Sequence, residues 1–157
     1  MPIDGTEEFQ ENARAAIFGE DDPDVYSECV YTAQTLSSTG AHRVLGEFFK
    51  KYHDSPIYLS SPTWGSHKAI FENCGLEVRE YRYYDPKTKS IDMKGFLTDL
   101  GEAPEGAIIM LSTCAHNPTG VDPTLEQWKD IAEVMRIKKQ LPFFDSAYQG
   151  FIGQDPE

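Results

Sequence analysis

Short apolar runs alternate along this chain with segments in which apolar residues recur every three or four positions, and this alternation restricts the folds it can adopt. The sequence predicts strands at residues 30–36, 57–60, 78–83, 107–111 and 141–144. It predicts helices at residues 6–18, 40–52 and about 66–74, and two more that begin near Asp92 and Thr124. Repeated strand–helix–strand units predict an α/β, three-layer domain with a mainly parallel sheet and flanking helices.

Residue types that begin or end helices support these boundaries. Gly19 and Gly75 follow the first and third helices, where a residue without a side chain can adopt the left-handed conformation that ends a helix. Asp92 can cap the fourth helix. Thr124 and Gln127 have the spacing of a capping box, in which each side chain bonds to the backbone of the other residue.

Length and charge restrict the class of protein. The chain has 157 residues, enough for one domain with a substantial core and too few for two ordinary domains. We therefore interpret residues 1–157 as part of one domain, with no second domain in this chain. The net charge of −12 argues against a nucleic-acid partner, since phosphate binding needs a basic surface. Apolar runs all fall short of the roughly 20 residues that span a membrane, so no membrane association is expected.

The cysteines and histidines do not form a recognisable metal or redox motif. Cys29, Cys74 and Cys114 include no C-x-x-C pair, and their odd number indicates free thiols in a reducing compartment. We expect each to be a buried structural residue. The four histidines and three cysteines lack the spacing of zinc ligands, so no metal site is predicted. Ser146 is not part of a G-x-S-x-G motif, which leaves a hydrolase triad unsupported.

Polar residues follow the last two predicted strands. Asn117 lies in an Asn-Pro-Thr-Gly segment after one strand, and Asp145 and Tyr148 follow the other. Open α/β sheets bind ligands where strand ends meet loops, so these groups should share one crevice. A carboxylate can keep a ring nitrogen protonated, while an amide and a phenol can hydrogen-bond a ring oxygen. The three groups therefore suit a flat, nitrogen-containing aromatic cofactor.

A second candidate site lies where the first strand meets a helix. Ser37, Ser38 and Thr39 precede Gly40 at the start of the predicted helix. Backbone N–H groups and the positive end of the helix dipole make such a position suitable for a phosphate. The alternative interpretation is that these hydroxyls only cap the helix.

Structural interpretations remain open for the other candidate residues. Trp64 offers a flat surface for stacking on a ring, but it could equally be an ordinary packing residue. Asp145 could be a helix cap or part of a local salt bridge, and Asn117 is also a good turn residue. His67 is by default a surface or capping histidine. For His116 the preferred interpretation is local hydrogen bonding within its loop.

Several motifs in the same order resemble one enzyme family. The matching segments are residues 2–5, 34–37, 62–64, 81–84, 117–123 and 147–151. They are distributed over nearly the whole chain, and the chain resembles the aspartate aminotransferase family of class I pyridoxal-phosphate enzymes, in particular its eukaryotic-type members. The resemblance implies the large domain of a pyridoxal-phosphate-dependent transferase, of which this chain would be the first half.

The resemblance implies a role for the loop at residues 37–39. In the family this loop holds the phosphate of pyridoxal 5′-phosphate, which would make Ser37, Ser38 and Thr39 cofactor-binding residues. The family usually has glycine where Ser38 stands, and the added side chain could crowd the phosphate. Trp64 would stack on the cofactor, and its N–H would contact the substrate carboxylate.

The same resemblance assigns the polar residues after the last two strands. Asp145 would pair with the ring nitrogen, with His67 as its supporting partner. Asn117 and Tyr148 would hydrogen-bond the ring oxygen, and Asn117 would also contact substrate. The family usually has histidine where Ser112 stands, so the hydrogen-bond network behind Asp145 would be weaker here.

The implied reaction transfers an amino group between L-aspartate and 2-oxoglutarate and gives oxaloacetate and L-glutamate, in a homodimer. The family's Schiff-base lysine corresponds to a position beyond the chain end, so no catalytic residue is assigned and the isolated chain is expected to be inactive. One alternative is a non-catalytic truncated paralogue that acts as a binding or dimer partner. Another is an aminotransferase with a different amino donor. We expect a cytoplasmic protein, with a mitochondrial location as the alternative.

Overall fold

A computed structural model describes residues 2–20, 22–23 and 29–152. The chain divides into two compact units, Met1–Val44 and Leu45–Glu157. The helices are α1 (Glu7–Phe18), α2 (Ser37–Tyr52), α3 (His67–Asn73), α4 (Met93–Glu102) and α5 (Leu125–Ile137). The strands are β1 (Ile57–Ser61), β2 (Val78–Arg82), β3 (Tyr84–Asp85), β4 (Ser90–Ile91), β5 (Ile108–Ser112) and β6 (Leu141–Asp145).

The second unit is built on a four-stranded parallel sheet. Its strand order is β2-β1-β5-β6, and every neighbouring pair in it is parallel. Ile57 is in register with Val78 on one side and with Ile108 on the other. The remaining two strands, β3 and β4, form a separate antiparallel hairpin. The prediction of an α/β fold with a mainly parallel sheet is confirmed.

Successive side chains of each strand point to opposite faces of the sheet, and each face has its own core. On one face, α4 and α5 cover a cluster that comprises Tyr58, Tyr81, Tyr83, Phe96, Leu100, Ala103, Ala107, Ile109, Leu111, Ile131 and Met135. On the other face, α3 and the second half of α2 cover a cluster that comprises Phe49, Ile57, Leu59, Phe71, Leu76, Ile108, Met110 and Phe143. Helices therefore lie on both faces of the sheet, which gives three layers.

Capping interactions set the helix boundaries as predicted. Thr6 Oγ1 accepts the Phe9 backbone N–H at the start of α1. The Asp92 carboxylate accepts the Gly95 N–H at 2.8 Å at the start of α4. Thr124 and Gln127 form both hydrogen bonds of the capping box that begins α5. Each cap satisfies backbone donors that have no partner inside the helix.

The first unit differs from its prediction in two respects. Residues 30–36 were expected to form a strand, but they belong to no strand in the described part of the chain. In this segment the Gln34 N–H donates to the carbonyl oxygen of Asp4 at 2.7 Å. A strand requires a neighbouring strand with which to form a hydrogen-bonded ladder, and the residues of one segment alone do not supply it. Helix α2 begins at Ser37 rather than at Gly40, so the candidate phosphate loop forms its first turn.

Burial of the apolar helix residues and cysteines is less complete than expected. None of the residues of α1 is buried, although Phe9 and Ile17 have helical spacing. The three cysteines are thiols that form no disulfide bond with one another. Cys74 is buried and Cys114 is partly buried, whereas Cys29 is exposed, so the expectation of a buried Cys29 was wrong. Among the described residues no helix is long and apolar enough to cross a membrane.

A glycine lets α2 and α3 approach each other closely in the second unit. A Cβ atom on Gly46 would lie 2.6 Å from Cys74 Sγ and 3.3 Å from Phe71 Cδ1. We expect Gly46→Ala to lower the free energy of unfolding by about 1–3 kcal/mol, because this overpacking outweighs alanine's better helix propensity. Urea denaturation measures the effect.

Gly101→Ala in α4 is the matched control, since nothing lies within 4 Å of its ideal Cβ position. This substitution should leave stability unchanged or raise it by up to about 1 kcal/mol. Equal effects of the two substitutions would contradict the close approach of α2 and α3.

Candidate active site

The candidate residues of the second unit lie where parallel strands end. Trp64 follows β1, Asn117 follows β5, and Asp145 is the last residue of β6. Because β1, β5 and β6 are adjacent and parallel, their carboxyl ends meet at one edge of the sheet. The prediction of a shared crevice was made from this general property of parallel sheets.

Trp64, His67 and Asp145 form one group at this edge. The His67 ring lies 5.2 Å from the Trp64 ring, centroid to centroid, in an edge-to-face arrangement. Its Nε2 atom lies 3.5 Å from Asp145 Oδ2, and the two side chains are 5% and 16% exposed. A carboxylate so largely withdrawn from water requires a partner, and the imidazole supplies one.

The contacts of His67 indicate which of its two ring nitrogens carries the proton. Thr63 Oγ1 lies 2.8 Å from His67 Nδ1. An ionised carboxylate only accepts hydrogen bonds, so the nitrogen facing Asp145 must be the donor. In a neutral ring Nδ1 then accepts from the Thr63 hydroxyl. His67 is thus a buried residue of α3 that orients Asp145, and the default interpretation of a surface histidine does not describe it.

The Asp122 carboxylate binds the backbone of the turn after β5. Asp122 accepts the backbone N–H of Ala115 at 2.7 Å and that of His116 at 2.9 Å. Ala115 has a φ of 49°, in the left-handed region that residues with side chains rarely adopt. The two hydrogen bonds to Asp122 stabilise that conformation. Gly120 N–H donates to the carbonyl of His116 at 2.7 Å and closes the turn.

Asn117 and Tyr148 are brought together although they are 31 residues apart in sequence. Asn117 Nδ2 donates to the Tyr148 hydroxyl over 3.4 Å. Asn117 is partly buried and Tyr148 is exposed. An amide and a phenol so arranged can both reach one acceptor or donor atom of a bound ring.

His116 is a site residue that sequence reasoning missed. Its Nε2 lies 2.8 Å from Ser60 Oγ on β1, and its Nδ1 lies 2.8 Å from Thr119 Oγ1. Its ring stacks on Tyr83 with centroids 3.9 Å apart. Burial lowers the pKa of His116 to about 4, with nearby His67 adding to the effect and Asp122 opposing it. The expected local hydrogen bond is present, but the contact with Ser60, 56 residues away, had no signal in the sequence.

The remaining predicted residues occupy the first turn of α2 in the first unit. Ser37 has a φ of 58°, and the exposed Ser38 and Thr39 follow it. Gly40 N–H donates to the carbonyl of Leu36 at 3.2 Å, which leaves the preceding three amides without an acceptor inside the helix. In the second unit, Ser112 is in register with Asp145 across β5 and β6.

Comparison with known proteins identifies the family. The model of the family described as aminotransferase class I and II matches residues 1–157. The chain belongs to this aminotransferase family. Among curated relatives, it is 55% identical to the cytoplasmic aspartate aminotransferase of Oryza sativa subsp. japonica over 96% of its own length and 37% of the relative's. It is 45% identical to the mitochondrial aspartate aminotransferase of Xenopus tropicalis over 99% of its own length and 37% of the relative's.

Solved aminotransferase structures have the same fold. The cytoplasmic aspartate aminotransferase of Saccharomyces cerevisiae superposes with a TM-score of 0.91 at 44% identity, over 96% of this chain and 37% of that one. An aromatic-amino-acid aminotransferase from Burkholderia pseudomallei, described as covalently bound to pyridoxal phosphate, superposes with a TM-score of 0.93 at 38% identity, over 96% and 38%. The chain therefore spans little more than a third of the length of the aminotransferases it matches.

Proposed function

We propose that the complete polypeptide carrying this chain is a pyridoxal-phosphate-dependent aspartate aminotransferase. It would transfer the amino group between L-aspartate and 2-oxoglutarate and give oxaloacetate and L-glutamate. The observation that carries this proposal is the largely buried Asp145 carboxylate at the edge of the sheet. It lies 3.5 Å from His67, whose ring in turn contacts the indole of Trp64. Relatives at 55% and 53% identity are named aspartate aminotransferases, which supports aspartate as the amino donor.

The donor set of the second unit suits the cofactor. Asp145 would hold the ring nitrogen protonated, and His67 would keep the carboxylate oriented. Asn117 and Tyr148, which already contact each other, would hydrogen-bond the ring oxygen. Trp64 would stack on the ring and offer its N–H to the substrate carboxylate. When bound, pyridoxal phosphate supplies an electron sink that stabilises negative charge on the substrate's α-carbon.

The first turn of α2 would bind the phosphate. Ser37, Ser38 and Thr39 present hydroxyls and backbone amides at the N-terminus of a helix of 16 residues, where the dipole favours an anion. The exposed Ser38 side chain would itself donate to phosphate, where the family usually has glycine. We propose that residues 1–157 belong to a cofactor-binding domain.

A different amino donor is the second candidate function. Aromatic-amino-acid aminotransferases superpose on this chain as well as aspartate aminotransferases do, with TM-scores of 0.92 and 0.93. The higher identity to aspartate-specific relatives favours aspartate. Turnover of the complete polypeptide with aspartate, tyrosine and alanine as donors separates the candidates, and a higher kcat/KM for tyrosine would refute the proposed specificity.

Partners and location follow the same proposal. Small-molecule substrates are aspartate, 2-oxoglutarate, glutamate and oxaloacetate, and we propose a homodimer in a cytoplasmic setting. Relatives include proteins named cytoplasmic, mitochondrial and chloroplastic, so a mitochondrial location is the alternative. A non-catalytic paralogue is distinguished by sequencing the transcript past Glu157: a continuation that contains the family lysine supports the enzyme, and a stop codon supports the paralogue.

Titration of the complete polypeptide with pyridoxal phosphate tests cofactor binding directly. The expected result is a saturable change in the cofactor absorbance and quenching of tryptophan fluorescence, because Trp64 would contact the ring. Trp128, on α5, is the matched control. Trp64→Phe should remove most of the quenching and Trp128→Phe should not. Absence of any spectral change in the unmodified protein would refute the function.

A further inference from the structure

His116 connects the turn that carries Asn117 to the central strand of the sheet. Its side chain is 2% exposed, and it immediately precedes Asn117 in sequence. One ring nitrogen bonds to the Ser60 hydroxyl on β1 and the other to the Thr119 hydroxyl within the turn, both at 2.8 Å. The ring thus forms a bridge between an element of the core and a loop of the site.

The bridge works with a neutral ring. A neutral imidazole has one donor and one acceptor, and each hydroxyl can rotate to complement the nitrogen it faces. The groups around the ring are the Asp122 carboxylate, the His67 ring and the Tyr83 phenol. Asp122 already accepts two backbone N–H groups of the turn, and the Tyr83 hydroxyl donates to the carbonyl of Val121 at 2.6 Å. The Asp122 carboxylate and the Tyr83 hydroxyl are therefore both engaged by backbone groups of the turn.

We propose that His116 is a positioning residue that fixes the Asn117 side chain in the crevice by tying its turn to Ser60. The inference rests on the proposed function in that Asn117 would hydrogen-bond the cofactor ring. The Asn117 amide itself makes a long contact of 3.4 Å with the exposed Tyr148, which alone would hold it weakly. Its position must therefore come from the backbone, which His116 and Asp122 anchor.

A double-mutant cycle between His116 and Asn117 tests the proposal. His116→Phe keeps a flat ring against Tyr83 and removes both hydrogen bonds. We expect His116→Phe to weaken binding of pyridoxal phosphate about tenfold, and Asn117→Ala to weaken it by about the same factor or more. The double variant should bind no more weakly than Asn117→Ala, since His116 acts through Asn117. Additive losses would overturn the proposal.

Thr119→Val provides a second variant that keeps the side-chain shape and removes the hydroxyl, which bonds to His116 Nδ1 and accepts the Val121 N–H at 3.3 Å. It should reproduce part of the loss caused by His116→Phe, and the loss should vanish when Asn117 is alanine. His53→Phe is the matched control, because His53 is exposed and contacts the carbonyl of Gly106 at 2.6 Å, away from the turn. If His53→Phe weakened binding of pyridoxal phosphate as much as His116→Phe, the proposal would also be overturned.

A measurement without cofactor separates this inference from the proposed function. The side-chain amide of Asn117, labelled with ¹⁵N, should give one sharp pair of NMR resonances in the unmodified protein. His116→Phe should broaden or split that pair, and His53→Phe should leave it unchanged. An unchanged pair in His116→Phe refutes the positioning role even if the protein binds no cofactor. If only the proposed function is wrong, the NMR spectra should still change as expected, while the titration should show no binding of pyridoxal phosphate.

Discussion

Asp145→Asn in the complete polypeptide is expected to weaken binding of pyridoxal phosphate by about a hundred- to a thousandfold. Asparagine keeps the shape of aspartate and removes the charge that would pair with a protonated ring nitrogen. Removing one partner of a largely buried ion pair costs about 3–5 kcal/mol, and the 16% exposure of Asp145 favours the lower part of that range. Turnover should fall by at least as much, because an unprotonated ring is a weaker electron sink.

Absorbance titration measures the affinity, and a coupled assay for oxaloacetate measures turnover. Asp130→Asn is the matched control, since Asp130 is an exposed carboxylate on α5 and should change neither quantity. His67→Gln should have a smaller effect than Asp145→Asn, because it removes only the support of the carboxylate. If Asp145→Asn left affinity and turnover unaltered, Asp145 would not contact the cofactor, and the proposed function would lose its central contact.

The parts of the fold that could be predicted from sequence are those set by local chemistry. Asp92 and Thr124 cap their helices as their positions indicated, because a cap involves residues only three positions apart. The strand at residues 30–36 was predicted wrongly because a short run of residues does not specify whether a neighbouring strand exists to pair with it. The strand order β2-β1-β5-β6 depends on contacts between distant segments and has no local signal.

The same distinction applies to the site. Asn117 and Asp145 could be placed near strand ends because Asp145 directly follows an apolar run and Asn117 lies in the loop after another. The contact of His67 with Asp145 was expected only from the family resemblance, since 78 residues of sequence separate the two. The bridge from His116 to Ser60 was not anticipated at all. Hydrogen bonds between buried side chains on different elements depend on packing, which residue type and spacing do not specify.

Acid should destabilise the protein through His116. Its folded-state pKa of about 4 lies below the ordinary value of 6.5, so only the unfolded chain takes up a proton between these values. Above pH 6.5 the ring is neutral in both states and contributes no pH dependence. As the pH falls from 6.5 to 4, the folded state should lose about 3 kcal/mol relative to the unfolded state, since each pKa unit corresponds to about 1.4 kcal/mol.

Urea denaturation of the unmodified protein and of His116→Phe at pH 7.5 and at pH 4 isolates this contribution. At pH 7.5 the unmodified protein should be the more stable, because phenylalanine leaves the Ser60 and Thr119 hydroxyls without their ring partner. That advantage should shrink by about 3 kcal/mol at pH 4, because phenylalanine does not titrate. Carboxylates elsewhere shift both proteins equally and cancel in the difference. A pH-independent difference would mean that the His116 ring has the same pKa in the folded and the unfolded state, and it would refute this prediction.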